Sequence, residues 1–274
     1  MNLHVDVELR NLEEFKQLLA INPFLLDGST LARNVDRIKK NGAFDPFAGY
    51  MLPSSIDIQG TNYRETIVGH GTNSRGRGVL SALADFVVER GTGVDVYASE
   101  WVSPFSQRLK GIFGTNFIGS EYLPSSNDRA KYPAIRHEDV QALSFPSQTF
   151  DLYVSCEVLE HIPYLDRAIS EAYRILRPSG LFVGTVPFAF MNTNSIVRST
   201  LLNGMVHHVL PPEFHGNPVD PSGGSLVFEI PGWDFLDRCR MAGFQDAAMR
   251  LIASTKNAIL GGDLVGTLVF VARV

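Results

Sequence analysis

Phe150–Pro187 reads FDLYVSCEVLEHIPYLDRAISEAYRILRPSGLFVGTVP, and its pattern decides the fold. Phe150 to Ser155 is a short apolar run that stops at a polar cluster, as expected of a strand buried on both faces. Pro163 stands where a first helical turn tolerates a missing N–H. Leu165, Ile169, Ala172 and Leu176 recur at helical spacing, and Ala168 and Ile175 widen the stripe. This predicts a helix of about three to four turns that lays one apolar face on a sheet. Arg177-Pro178-Ser179-Gly180 ends it, and Leu181 to Val186 is a second apolar run. Strand, amphipathic helix and strand in that order predict a right-handed parallel crossover. Ligands of open parallel sheets bind outside the carboxyl ends of the strands, which singles out Cys156, Glu157, Glu160 and His161.

FDLYVSCEVLEH followed by RPSG resembles the second half of a class I S-adenosylmethionine-dependent methyltransferase domain. The similarity is to the broad type 11-like group, whose fourth strand reads FDLV, then a polar pair and LEH, and whose next turn reads PGG. The resemblance implies an α/β, Rossmann-like, doubly wound fold with a seven-stranded sheet, mostly parallel with an antiparallel last strand. It also implies S-adenosyl-L-methionine as cofactor, with Cys156 and Glu157 at the cofactor edge of the fourth strand.

Composition bounds the rest. A chain of 274 residues, 45% hydrophobic and 19% charged, can bury a substantial core. The net charge of −5 and the scattered Lys and Arg leave no basic stripe, so no nucleic-acid partner is expected. The two cysteines, Cys156 and Cys239, give neither a zinc spacing nor a disulfide framework, which suits a reducing cytosol. No run approaches the roughly 18 apolar residues of a membrane span, and the N-terminus lacks a basic-then-apolar leader. The expected location is cytoplasmic, with no membrane partner.

Residues 1–65 read as an N-terminal helical extension, and residues 66–274 as the main domain. Leu9, Leu12, Phe15, Leu18 and Leu19 fall on one helical face, which Pro23 closes. A second helix is expected from Thr30, as N-cap, to Asn41-Gly42. Ala43 to Asn62 reads as irregular. The extension either covers a sheet edge or the face of a homodimer, or forms a lid over the substrate. Gly69–Gly78, GHGTNSRGRG, precedes a helix expected from Val79 to Arg90. Its glycines and arginines suit an anion cradle of backbone N–H groups, or only a solvated turn; GxxxxGK[ST] is absent. A similar Asn-Ser-Arg segment precedes the first strand in some methyltransferase-like proteins, which raises Asn73, Ser74 and Arg75 as candidates.

Val94 to Ser99 is the expected first strand, and here the chain departs from the family pattern. A glycine-rich turn normally follows, because a side chain would block close approach of the cofactor to the backbone. This chain has Ala98-Ser99-Glu100-Trp101, with no glycine between Val94 and Lys110. Either the site is degenerate, or Ser99 forms a small-residue turn and Glu100 meets the amino group of the methionine portion. Phe117 to Ser120 is the second strand, ending in Glu121-Tyr122. Glu121 lies 21 residues past Glu100, the placement at which an acid takes the ribose hydroxyls of a nucleoside. Tyr122 is placed to stack on the ribose or adenine. Ala134 to Val140 reads as a third strand and its end; by resemblance Asp139 takes the adenine amine and the Val140 N–H meets the ring.

Residues 188–229 are an insertion rich in Pro and His. His207, His208, Glu213, His215 and Asp220 invite a metal reading, but prolines at 211, 212, 218 and 221 make a rigid irregular loop without a helix-fixed ligand set, so no metal is assigned. The loop instead walls a substrate pocket. His161, His215 and His208 are the candidate general bases, since neutral imidazole suits proton removal near pH 7. A helix follows from about Gly232 to Ala242-Gly243, with Phe244 making the apolar contact after the stop, then strands Ala247–Ala253 and Leu268–Val274. The absence of an NPPY-like motif disfavours an amino-base or glutamine target. These readings point to O-methylation of a small molecule or a sugar or glycan hydroxyl. The alternative is a methyltransferase-like scaffold that has lost its cofactor.

Overall fold

The computed structural model describes residues 3–274. Seven strands form one sheet: β1 (His4–Leu9), β2 (Val96–Ala98), β3 (Phe117–Gly119), β4 (Phe150–Cys156), β5 (Leu176–Thr185), β6 (Asp246–Ser254) and β7 (Thr267–Arg273). Their order is β1-β6-β7-β5-β4-β2-β3. β3, β2, β4 and β5 run parallel, and β1 pairs antiparallel with β6. The α-helices that carry the argument are α1 (Leu12–Ile21), α2 (Gly28–Asn41), α3 (Ser74–Arg90), α4 (Pro104–Phe113), α5 (Ser126–Lys131), α6 (Leu165–Ile175) and α7 (Asp234–Ala242). This is the Rossmann-like α/β fold that the sequence predicts.

The seven strands are not the seven expected. At the third-strand position, among the described residues, only one bridge forms, between Glu121 and His137. The segment Arg136-His137-Glu138-Asp139 is polar throughout, and Asp139 turns the chain at once by accepting from the Gln141 N–H at 2.9 Å. The seventh strand comes instead from the N-terminal extension. Leu9, read above as part of a helical face, closes β1, whose Val5 and Val7 stand opposite Ala253 and Leu251.

Two compact units emerge: residues 1–92 with 248–271, and residues 93–247 with 272–274. In the first, α2 begins two residues before the expected cap, at Gly28, because the Asp27 carboxylate accepts from Ser29 N–H. That carboxyl is held down to about 2 by the Ser29 hydroxyl and amide and by Thr30. α3 likewise starts early, at Ser74, capped by Asn73, so Gly76 and Gly78 lie inside a helix rather than in a loop. Arg77 is fully buried and donates to the carbonyls of Ile67, Thr72, Asn257 and Ala258 at 2.7 to 3.0 Å. Arg75 pairs with Glu65 at 3.0 Å, and Ser74 exchanges hydrogen bonds with the backbone of Leu260. The glycine-rich segment is therefore a helix start and a buried staple, and its amides are not gathered into an anion cradle.

In the second unit, α6 buries Leu165, Ala168, Ile169, Ala172 and Ile175, the stripe read from the sequence. Leu176 is not part of the helix; it opens β5, and the ladder slips between Phe150↔Leu176 and Leu152↔Leu181, with Ser179 at φ 61° absorbing the bulge. α7 stops at Gly243, in the left-handed region at φ 118°, and Phe244 packs on Tyr173 and Phe182. Cys239 is core, its thiol pushed up to about 12 by burial. No helix among the described residues is long and apolar enough to cross a membrane.

Candidate functional site

The carboxyl ends of β2, β3 and β4 are stitched side by side. Ser99 N–H donates to the Val154 carbonyl at 3.2 Å, and Ser99 Oγ donates to Ser155 Oγ at 2.9 Å, joining the tips of β2 and β4. Ser120 N–H donates to the Ala98 carbonyl at 3.1 Å, joining β3 to β2. Glu121 N–H donates to the Arg136 carbonyl at 2.9 Å, which brings the polar third segment alongside. Four chain segments thus present their ends on one side of the second unit.

Glu121 is the pivot of this row. Its Oε1 accepts from the N–H groups of Trp101 and Val102, both at 2.8 Å, so it fixes the turn that replaces the usual glycine-rich loop. Both of these hydrogen bonds fall on Oε1, and none is recorded to Oε2 among the described residues. Trp101 lies flat near Phe117, with ring centroids 6.2 Å apart, and Lys110 Nζ sits 4.5 Å from the indole centroid. Gly119 makes room for that arrangement: a Cβ there would come within 2.8 Å of both the Glu100 carbonyl oxygen and Trp101 Cε3. The turn beside the cofactor edge is thus kept close not by its own glycines but by a glycine on the neighbouring strand, a compensation invisible to a motif search.

The third segment is braced by a residue that sequence reasoning passed over. Glu138 is buried, and burial pushes its carboxyl up. The Ser144 hydroxyl and amide and Arg136 outweigh that effect and hold it below the usual range. Arg136 Nε donates to Glu138 Oε1 at 2.6 Å, and Ser144 N–H and Oγ donate at 2.8 and 2.6 Å. Asp139 and Val140 follow directly; Val140 is buried, and the Tyr122 phenol is raised first by desolvation and then by the Asp139 charge. Tyr122 is exposed and packs 5.7 Å from the His137 ring. The structure therefore brings Tyr122, Asp139 and Val140 together beside Glu121.

At the end of β4, Cys156 is buried, and Glu157 takes φ 54°, a left-handed conformation that a non-glycine residue adopts only at a cost. Its N–H donates to the Thr185 carbonyl at 2.8 Å, so the chain leaves the sheet abruptly. A short 3-10 turn, Leu159–His161, comes next. The insertion folds over this turn, and it is not irregular: three antiparallel ribbons form, pairing 196–197 with 229–230, 199–202 with 205–208, and 214–215 with 225–226. The last ribbon is tied to the turn by Phe228 N–H donating to the Glu160 carbonyl and by His161 Nδ1 at 2.9 Å from the Leu226 carbonyl oxygen.

This docking joins two of the three histidines. His161 and His215 rings meet edge to face with centroids 5.1 Å apart, both against the buried Glu160 carboxylate. Glu160, with Glu213 adding, holds the His215 imidazole up to about 9 against the effect of burial. Its two carboxylate neighbours thus favour the charged imidazole near neutral pH, a form that donates rather than accepts a proton. His208 sits on the exposed 205–208 ribbon, bonded to Ser199 Oγ at 3.0 Å, and lies outside the cluster. A surface pocket of about 510 Å³ lies elsewhere, near Gln148, Arg174 and Pro178 at the amino ends of β4 and β5, and plays no part in this site.

Parallel strands that end in an acid, a small-residue turn and a strained polar corner form the kind of carboxyl-end edge at which ligands of Rossmann-like sheets bind. Residues 80–184 match the methyltransferase domain family model. It is 30% identical over 155 residues to a "Probable S-adenosylmethionine-dependent methyltransferase" of Mycolicibacterium smegmatis, covering 55% of this chain and 52% of the relative. Over 73 residues it is 38% identical to the ubiquinone/menaquinone biosynthesis C-methyltransferase UbiE of Bartonella bacilliformis, 27% of each chain. The chain spans about half the length of the first relative and about a quarter of the second. Among solved structures, an S-adenosylmethionine-dependent methyltransferase from Mesorhizobium loti superposes with a TM-score of 0.43 at 14% identity, covering 66% of this chain and 91% of that one.

Proposed function

We propose that the chain transfers a methyl group from S-adenosylmethionine to a hydroxyl of a small molecule or of a sugar or glycan. The observation that carries the cofactor half is Glu121, anchored through Oε1 at the tip of β3. These residues fit the cofactor: Glu121 would take the ribose hydroxyls, Ser99 and Glu100 the methionine end, and Tyr122, Asp139 and Val140 the adenine. Cys156 and Glu157 would close the floor at the end of β4. When bound, the cofactor supplies an electrophilic methyl carbon, so the protein has only to hold an acceptor in line and remove its proton.

Proton removal falls to the turn after β4. The Nδ1 of His161 sits at the Leu226 carbonyl oxygen, which only an N–H satisfies. In the neutral ring this tautomer places the lone pair on Nε2, the atom a base would use. A hydroxyl acceptor gives such a group a task, whereas an uncharged amine attacks without prior proton removal. Incubation of the full chain with methyl-labelled cofactor and a panel of sugars and small alcohols or phenols tests the reading. Label should appear in an alkali-stable methyl ether, and His161→Ala should slow its formation about 100-fold or more. Label on carbon or nitrogen acceptors alone would reject the hydroxyl assignment.

A further inference from the structure

The geometry points to a divalent transition-metal site, zinc by its ligand chemistry, formed by Glu160, His161 and His215. One ligand atom from each of the three lies within 4.8 Å of the others. Glu160 supplies the independent observation: it is fully buried, and neither of its carboxylate oxygens has a hydrogen-bond partner among the described residues. A buried carboxylate left in that state is costly unless a cation compensates it.

The distances favour an ion over a direct hydrogen bond. His215 Nδ1 lies 3.5 Å and His161 Nε2 3.6 Å from Glu160 Oε1. A charge-assisted N–H to carboxylate contact closes to about 2.7 to 2.9 Å. Ligands arranged tetrahedrally at about 2.1 Å from a common zinc stand about 3.4 Å apart. The two edges from Glu160 to the imidazoles thus have the length of a coordination shell's edges, and the third lies within 4.8 Å.

The outer contacts agree. Ligating imidazoles direct their second nitrogen to a carbonyl or carboxylate, which fixes the ring and the tautomer. His161 turns Nδ1 to the Leu226 carbonyl oxygen at 2.9 Å, and His215 turns Nε2 to Glu213 Oε1 at 3.1 Å. Each ring therefore points its other nitrogen toward Glu160. Two imidazoles and one carboxylate with a position left over is the donor set of open zinc sites. An ion there would occupy the His161 lone pair and would itself acidify a bound hydroxyl, taking over the base role given above. The site rests on side-chain geometry alone, so it stands or falls independently of methyl transfer.

The test is metal binding by the full chain, stripped with chelator and titrated with cobalt(II) as an optical probe. One equivalent should bind with visible d–d absorption, and zinc(II) should displace it. His161→Ala and His215→Ala should each weaken binding at least about tenfold, and Glu213→Gln, which removes only the outer carboxylate, about tenfold. His207→Ala, on the exposed ribbon, should bind as the parent does. Far-UV circular dichroism identifies any variant that has failed to fold, and Glu213→Gln, a half-exposed conservative change, then carries the test. Absence of saturable binding, or unchanged affinity in folded His215→Ala and Glu213→Gln proteins, would overturn the site.

Discussion

Single residues set the chemistry, and two of them make direct predictions. Gly119 has no room for a Cβ, and the atom it would strike first is a backbone oxygen of the turn after β2, which cannot rotate away. Gly119→Ala should push that turn outward, costing about 1 to 3 kcal/mol in a denaturant melt, with a parallel loss of affinity for S-adenosylhomocysteine. A stable variant that binds as the parent does would show the turn to be adaptable. His215 makes a pH prediction. Its pKa is raised in the folded chain to about 9, so the stability it contributes is fully present below about pH 6.5, the unfolded value, and is lost as pH rises through about 9. In chelator-treated protein, the difference in Tm between parent and His215→Gln should therefore shrink across that window. A difference that grows with pH would mean that the imidazole is held neutral.

At the level of elements, what the sequence reveals depends on how local the determinant is. α6 is legible because its stripe is periodic and lies between two apolar runs. α7 is legible because Gly243 and Phe244 form a stop within three residues. The third strand is misread because the polar run at 136 to 139 makes it only a bridge, and β1 is missed because Val5 and Val7 find their partners on β6, far along the chain. The Glu121 position is visible from spacing, whereas the Glu160, His161 and His215 cluster is not: it exists only after the 214–215 ribbon docks on the turn following β4. The glycine-rich segment before α3 illustrates the opposite error, since its composition suggests a ligand loop while Arg77 uses its donors on four carbonyls of its own unit. Arg77→Ala should destabilise by about 3 to 5 kcal/mol in chemical denaturation, because the substitution leaves those carbonyls buried and unpaired. A loss under about 1 kcal/mol would mean that water replaces the guanidinium.

At the scale of the molecule, the second unit carries an acid at the tip of β3, has no glycine in the turn after β2, and builds its polar corner with an insertion. Methyl transfer by this chain requires that Glu121 hold the turn with one oxygen and a nucleoside with the other. Isothermal titration of the full chain with S-adenosylhomocysteine tests it. The parent should bind with a Kd of about micromolar order, near −8 kcal/mol. Glu121→Gln should weaken binding by about 1.5 to 3 kcal/mol, as loss of a hydrogen bond to a charged acceptor does. No heat at millimolar ligand, or equal affinity in a folded Glu121→Gln protein, would contradict the assignment.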